Sequence, residues 1–275
     1  MGFICFNGEL LPAGQPVIAA ANPGFRYGEG LFETMKMLQG NILHFSLHCQ
    51  RLQQGLSLLG MSPLAADNNA IAGQVKLLAQ KNECLKMARI RWTVFRQEDG
   101  TAGYVLEAFA LESEAFRWQE RGWRLGLYAE NTKATGPLAN LKSANYLVYR
   151  LATAAAAQQG ADECIVLNAH GHVCDGSRTN IFILKDGLLQ TPPLTSGCVA
   201  GVMRRHVLQF CSANNIPFAE KDLLPNDLLA ADEMFLTNAI QGIRWVSHFK
   251  GKKYGNAFTK SLYEQLLAAE YQKAF

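Results

Sequence analysis

The sequence lacks the features that would indicate a special chemical environment. Its seven cysteines are an odd number, and no two of them form a Cys-x-x-Cys pair. A zinc site or a disulfide framework needs paired and closer spacing, so we expect reduced, mostly buried thiols and no metal centre. Blocks of like charge are also missing. A net charge of +3 is too small to indicate a nucleic-acid partner.

Long hydrophobic runs are missing too. The most apolar window, residues 147–157, is interrupted by Arg150 and is too short to span a bilayer. The N-terminal segment shows no basic stretch followed by a long apolar core, so no signal peptide is evident. We therefore expect a cytoplasmic protein that does not associate with a membrane.

What is present is the composition of an ordinary globular protein, with 49% hydrophobic and 18% charged residues. A chain of 275 residues exceeds one typical domain and suits two. Residues 130–137 are polar and contain a Gly-Pro pair, which marks a break. The sequence therefore predicts a small α/β domain over 1–129, a linker over 130–137 and a larger domain over 138–275.

Turn residues and hydrophobic periodicity predict both strands and helices in the two domains. Tight hairpin turns are predicted at Asn7-Gly8, around Gln39-Gly40, and at Asp186-Gly187. Helical patterns occur at about 67–82, 143–159 and 201–213. Since strands and helices do not alternate regularly, we predict an α+β fold.

Four features of the sequence are candidates for a catalytic or ligand-binding role. Lys142 stands at the start of the predicted 143–159 helix, and Asp175 precedes a Gly-Ser turn. The glycine-rich loop before the helix at 201 would present backbone N–H groups to an anion. Arg51 lies on the first helix. Taken singly, these are a surface lysine, a turn residue, a permissive loop and a surface arginine. Together they are the groups that a pyridoxal phosphate enzyme needs.

The chain resembles the class IV aminotransferases, which are fold type IV pyridoxal phosphate enzymes. These include branched-chain and D-amino acid transaminases and 4-amino-4-deoxychorismate lyases. The resemblance covers nearly the whole chain and follows six motifs in the family's order: YGEGLFETMK, HCQRL, LKSANYL, DGSRTNIF, GCVAGVMRR and FLTNA. It implies a two-domain α+β fold of the D-amino acid aminotransferase type, with the cofactor site between the domains. It also implies a homodimer and a small, amino-acid-like substrate.

The resemblance also implies roles for individual residues. Lys142 would form the Schiff base with pyridoxal 5'-phosphate, and Tyr146 would bond the phenolic oxygen of the cofactor. Asp175 would face the pyridine nitrogen, although most members have glutamate there. The implied phosphate ligands are Arg51, the backbone amides of Val202 and Met203, and Thr237 or Asn238. Methionine at 203 departs from the threonine that is common in transaminases, so it offers only its backbone donor.

The substrate is argued from arginines. The resemblance brings Arg26, Arg96 and Arg178 to the site in loops, with Phe32 lining the pocket. Three cations suit a dianionic substrate, and this favours 4-amino-4-deoxychorismate lyase. A branched-chain or D-amino acid transaminase is the alternative, and a non-catalytic scaffold is a remote one. Strand alternation leaves open whether Arg89 and Arg91 face solvent or the site.

Overall fold

The protein is described from a computed structural model, which covers residues 2–112 and 117–274, with side chains to residue 268. It is an α+β protein that forms two compact units. The first comprises Met1–Ala115 with Leu141–Asn145, and the second comprises Phe116–Asn140 with Tyr146–Phe275.

The first unit is built on one antiparallel sheet. Its strands are β1 Phe3–Phe6, β2 Glu9–Pro12, β3 Gly30–Leu38, β4 Asn41–Ile42, β5 Met87–Arg96 and β6 Ala102–Ala110. Its helices are α1 Pro23–Tyr27, α2 Phe45–Leu58 and α3 Asn68–Lys81. The strand order is β2-β1-β6-β5-β3-β4. Helices α2 and α3 pack on one face of this sheet and enclose the hydrophobic core of the unit.

Local sequence signals explain these elements. Asn7 and Gly8 both have positive φ, 48° and 97°, which is the backbone of a tight β1–β2 turn. The turns at Gln39-Gly40 and Asp186-Gly187 have the same character, so the three predicted hairpins are confirmed. Helix α3 begins where expected, because the carboxylate of Asp67 accepts from the backbone N–H of Ala70 at 2.8 Å.

The second unit contains a larger mixed sheet. Its strands are β7 Trp123–Lys133, β8 Glu163–Asn168, β9 Val173–Gly176, β10 Asn180–Lys185, β11 Leu188–Thr191, β12 Phe218–Glu220, β13 Glu233–Asn238, β14 Gly242–Phe249 and β15 Lys252–Lys253. Its helices are α4 Leu147–Gln158, α5 Val202–Ala213, α6 Pro225–Ala230 and α7 Ala257–Ala274. The strand order is β12-β11-β10-β13-β14-β7-β8-β9, and β15 pairs with β14.

Helices pack on this sheet through two kinds of surface. Helix α4 presents Ala152, Ala155 and Ala156 to strands β7 and β8, and these small side chains let the helix lie close to the sheet. Helices α5 and α7 cover larger side chains. There the stacked rings of Phe182 and Phe235, with centroids 4.9 Å apart, form the centre of the cluster.

Two segments differ from the sequence prediction. Helix α4 begins at Leu147 rather than at 143, because the backbone of Lys142 and Ala144 is bonded to β3 instead of to a helical turn. For the same reason Leu141–Asn145 belongs to the first unit. The segment predicted as a linker, 130–137, lies within the second unit, and its first four residues complete strand β7.

All seven cysteines are buried free thiols, as expected. Across 2–112 and 117–274, the His, Cys, Asp and Glu side chains form no group that could hold a metal ion. In the same ranges, none of the helices combines the length and the apolar character that crossing a membrane requires.

Candidate active site

Lys142 is held by the sheet of the first unit. Its carbonyl accepts from the N–H of Phe32 at 2.9 Å, and the N–H of Ala144 donates to the carbonyl of Gly30 at 2.9 Å. The Lys142 Nζ lies 4.5 Å from the centroid of the Phe32 ring. A loop whose backbone is bonded to a strand therefore positions the amine over an aromatic side chain that is itself buried.

Arg91 shares this aromatic ring with Lys142. Its Cζ lies 4.3 Å from the Phe32 centroid, and its Nε donates to the hydroxyl of Thr93 at 3.1 Å. The register of β3 and β5 explains this, because Phe32 opposes Thr93 and Thr34 opposes Arg91 on one face of the sheet. The sequence left the facing of Arg91 open, and the structure places it beside Phe32 and Lys142.

Two further cations lie on that face. Lys36 opposes Arg89 in the β3–β5 register, two positions along from the pair that contains Arg91. The side chain of Lys36 is buried, while Arg89 is exposed and covers the Phe109 ring at 4.9 Å. We call Lys36, Arg89 and Arg91 the cation row. It runs along the sheet face that also carries Phe32.

Arg51 lies in a buried charged cluster on the same unit. Its Nε donates to Glu33 Oε1 at 2.7 Å, and a second nitrogen donates to Glu33 Oε2. The Nδ1 of His48 bonds Glu33 Oε2 at 2.6 Å. Glu33 and His48 are fully buried, and Arg51 is 12% exposed. Glu33 therefore binds one edge of the guanidinium and fixes its plane.

Electrostatics assigns the protons in this cluster. Burial alone would raise the pKa of Glu33, but the charge of Arg51 and the hydrogen bonds from His48 and Arg51 lower it to about 2. Burial lowers the pKa of His48, so its imidazole is neutral at pH 7. A neutral imidazole beside a carboxylate must donate from Nδ1. Its Nε2 is then an acceptor, and it is buried without a partner among the described residues.

The three arginines predicted to bind substrate have other contacts. Arg26 is exposed and its Nε donates to the carbonyl of Ala20 at 3.1 Å. Arg96 pairs with Glu29 at 2.5 Å and also donates to the carbonyl of Leu59. Arg178, in the second unit, is half exposed, lies 3.6 Å from Glu163 and donates to the carbonyl of Asp162. Each therefore ties loops together within its own unit.

Asp175 lies at the centre of a dense donor set in the second unit. Its Oδ2 accepts from Lys133 Nζ at 3.3 Å, from the Tyr149 hydroxyl at 2.6 Å and from the Val199 N–H at 2.9 Å. Its Oδ1 accepts from Asn180 Nδ2 at 2.9 Å. The carboxylate is 2% exposed. Lys133, Tyr149 and Asn180 were not singled out from the sequence, since each comes from a different element.

Tyr146, which directly precedes α4, and Tyr149, within α4, differ in what they bind. Burial and the adjacent Asp175 charge raise the pKa of Tyr149 well above its ordinary value, so its hydroxyl keeps its proton and donates. The Tyr146 ring packs against the Tyr149 ring at an interplanar angle of 40°, with centroids 4.8 Å apart, and the Tyr146 hydroxyl donates to the carbonyl of Ser177 at 2.9 Å. Tyr146 therefore touches the Asp175 loop, whereas its predicted contact with the cofactor stays a prediction.

Unused donors cluster around the start of α5. In the described chain no side chain caps this helix, so the first N–H groups, including those of Val202 and Met203, lack the usual partner. Thr237 opposes Asn180 in the β10–β13 register, and a Cβ at Gly201 would collide with the Asn180 amide. Thr237 therefore lies opposite a residue, Asn180, that contacts the loop before α5. The Thr237 hydroxyl is buried and has no hydrogen-bond partner among the described residues.

The sequence also matches known proteins. A profile of the family "Amino-transferase class IV" matches residues 30–249. The chain belongs to this family. It is 28% identical over 242 residues to an aminodeoxychorismate lyase of Vibrio harveyi, covering 85% of this chain and 88% of the lyase. It is 27% identical over 289 residues to a branched-chain-amino-acid aminotransferase of Pseudomonas aeruginosa, covering 98% and 92% of the two chains.

A solved structure shares the fold of this class IV protein. A hypothetical aminotransferase from Mycobacterium tuberculosis, in its pyridoxal phosphate-bound form, superposes with a TM-score of 0.84 at 20% identity and covers 98% of each chain. Class IV aminotransferases are pyridoxal phosphate enzymes, so this protein is an enzyme whose cofactor is pyridoxal 5'-phosphate.

The residues present fit the cofactor of the family. A buried hydroxyl without a partner, at Thr237, and an uncapped helix start at Val202 suit a phosphate group. The Asn238 side chain is already engaged, because its Oδ1 accepts from the N–H of Ile240 and of Gln241. Asp175 Oδ1 accepts one bond and can accept another. A ring N–H is a suitable donor for that position.

Proposed function

We propose that this enzyme is a 4-amino-4-deoxychorismate lyase, which forms 4-aminobenzoate and pyruvate. The observation that carries the proposal is the cation row beside Lys142. Arg91 and Lys142 contact the same ring, that of Phe32, at 4.3 and 4.5 Å. Lys36 and Arg89 continue the row along the same sheet face.

The charge of the substrate decides between the candidate reactions. Aminodeoxychorismate carries two carboxylates on a cyclic skeleton, and guanidinium groups bind carboxylates through paired, charge-assisted hydrogen bonds. A branched-chain amino acid carries one carboxylate and an apolar side chain. Arg91 Nε lies 3.8 Å from Glu107 Oε2, but both side chains are partly exposed, so this pair is weak. An apolar side chain placed against the cation row would desolvate its charges without supplying a carboxylate to pair with them, which is unfavourable. The row therefore favours the dianion.

The chain's own residues then have distinct tasks. When bound, pyridoxal phosphate supplies an electron sink for the carbon that bears the substrate amine. Lys142 takes the proton from that carbon, and the C–O bond to the enolpyruvyl group on the neighbouring carbon breaks. The proton then goes to the departing enolpyruvate, which becomes pyruvate, while the six-membered ring of the substrate becomes aromatic. Arg91 holds a substrate carboxylate, and Asp175 stabilises the protonated ring nitrogen.

Binding of the cofactor phosphate falls to other groups. We assign it to the Val202 and Met203 amides and to the Thr237 hydroxyl, while the phosphate contact that the resemblance implies for Arg51 stays a prediction. The support is the uncapped start of α5 and the absence of a partner for Thr237 among the described residues. Binding at that helix start needs only backbone donors, so methionine at 203 is compatible with the role.

The test compares two assays on the purified holoenzyme. One follows 4-aminobenzoate formed from aminodeoxychorismate, and the other follows amino transfer from D- and L-amino acids to 2-oxoglutarate. We expect activity in the first. Arg91→Leu should lower kcat/KM there by about tenfold or more, because a charged hydrogen bond contributes roughly 1.5–3 kcal/mol.

Arg121→Leu is the matched control, since Arg121 is 72% exposed and pairs with Asp162 in the second unit. It should leave both assays unchanged. Amino transfer without any 4-aminobenzoate would establish the transaminase alternative, and an Arg91→Leu enzyme with wild-type kcat/KM would remove the cation row from the argument.

A further inference from the structure

Lys133 is a buried cation that the reaction described above does not use. It is the last residue of β7 and its side chain is 10% exposed. Its Nζ lies 3.3 Å from Asp175 Oδ2 and 5.0 Å from the centroid of the Tyr149 ring. A buried lysine is costly unless it is paired, so this position calls for an explanation.

Geometry alone does not require a charge at Lys133. Asp175 Oδ2 already accepts from the Tyr149 hydroxyl and the Val199 N–H, and Oδ1 accepts from Asn180. These three donors are neutral and hold the carboxylate from three different segments. A further neutral donor would orient it equally well. What Lys133 adds to this set is a positive charge.

The other titratable groups near the carboxylate keep their protons and do not supply that charge. Burial raises the pKa of Cys174 and, to about 12, that of Cys198, and the charge of Asp175 raises both further. The Tyr149 pKa is raised by burial and by Asp175. Within the described part of the chain, Lys133 is thus the cation in contact with Asp175.

We propose that Lys133 is a positioning residue that shares the negative charge of Asp175 with the ring nitrogen of the cofactor. This inference rests on the proposed role of Asp175 at that nitrogen. A carboxylate paired with an ammonium exerts a weaker field on a second cation. Lys133 therefore limits how firmly Asp175 holds the proton on the ring, and so moderates the electron sink.

The experiment reads the ring nitrogen directly. Holoenzyme is prepared with pyridoxal phosphate labelled with nitrogen-15 in the ring, and the nitrogen chemical shift is followed against pH by NMR. In Lys133→Met the midpoint for ring protonation should rise by about two pH units, since a unit charge a few ångströms away interacts strongly through an effective dielectric constant of about 20.

Matched variants separate charge from structure. Lys133→Arg keeps the charge and should restore the wild-type midpoint. Lys253→Met removes an exposed lysine of the same unit and should change nothing. If Lys133→Met does not fold, Lys133→Gln, which keeps a neutral donor, should give the same rise. A midpoint that stays at the wild-type value in the charge-removing variants would overturn the inference.

A further variant, Asp175→Asn, shows whether the inference about Lys133 has failed or whether the proposed role of Asp175 has failed. It should lower the ring-protonation midpoint, because the stabilising carboxylate is lost. An unchanged midpoint in Asp175→Asn would show that Asp175 does not act on the ring nitrogen, and this would refute the role that the proposed function gives to Asp175. A lowered midpoint in Asp175→Asn, together with no rise in Lys133→Met, would refute only the inference about Lys133.

Discussion

Replacing Glu33 with glutamine removes the charged centre of the Glu33–His48–Arg51 cluster. The fall in the Glu33 pKa from 4.5 to about 2 corresponds to about 3 kcal/mol of differential interaction with the ionised form. Glutamine also leaves Arg51 without its counter-charge in a site that is 12% exposed. We expect Glu33→Gln to lower the free energy of unfolding of the apoprotein by about 3 kcal/mol at pH 7.

The pH dependence gives a second, independent readout. Because the folded-state pKa of Glu33 is depressed, its contribution is fully present above the unfolded value near 4.5 and is lost as the pH falls toward about 2. The wild-type protein should therefore lose stability between about pH 5 and pH 2 more steeply than Glu33→Gln. The difference between the two proteins should shrink over that window as the wild-type carboxylate takes up its proton.

Urea unfolding followed by circular dichroism, repeated from pH 7 to pH 3, measures both quantities. Glu29→Gln is the matched control, because Glu29 pairs with Arg96 in the same unit but the two side chains are 41% and 25% exposed. An exposed pair contributes about 0–1 kcal/mol. Equal losses in the two variants, or parallel pH profiles for wild type and Glu33→Gln, would refute the reasoning that burial makes this cluster strong.

Two further predictions concern the cofactor. Borohydride treatment of the holoenzyme should fix the cofactor on the peptide that contains Lys142, as mass spectrometry would show, and label on any other lysine would contradict the assignment. Thr237→Val should weaken cofactor binding by several-fold, since one hydrogen bond contributes about 1 kcal/mol. Stability of the apoprotein should not fall, because the Thr237 hydroxyl has no partner among the described residues. Unchanged affinity would exclude that hydroxyl as a phosphate ligand.

Elements with local causes could be predicted from the sequence. The Asn7-Gly8 hairpin follows from two residues that tolerate positive φ, and α3 follows from its Asp67 cap. The start of α4 could not be predicted in this way. Its helical pattern extends back to 143, but long-range backbone bonds from Lys142 and Ala144 to β3 override it.

The candidate site was predictable only where residues lie in a motif. Lys142, Arg51 and Asp175 stand in the quoted motifs, so the resemblance could assign them candidate roles, and those roles stay predictions. The position of Arg91 depends on the register of β3 against β5. The position of Lys133 depends on the pairing of β7 with β8, which in turn pairs with β9, the strand that carries Asp175. Such neighbours are fixed by three-dimensional packing, and no local pattern in the sequence marks them.

Lys142, the lysine proposed to hold the cofactor, is anchored to the sheet of the first unit rather than to the helix that follows it in sequence. Its backbone is bonded at Phe32, and the adjacent Ala144 is bonded at Gly30. A side chain at position 30 would meet the Val94 carbonyl at 2.9 Å, so glycine is needed for β3 to approach β5 there. The strand that fixes the Lys142 backbone also carries Phe32, and its register with β5 sets where Arg91 lies. One pair of strands therefore determines the spacing between the Lys142 amine, proposed to move the proton, and the Arg91 cation, proposed to hold the substrate.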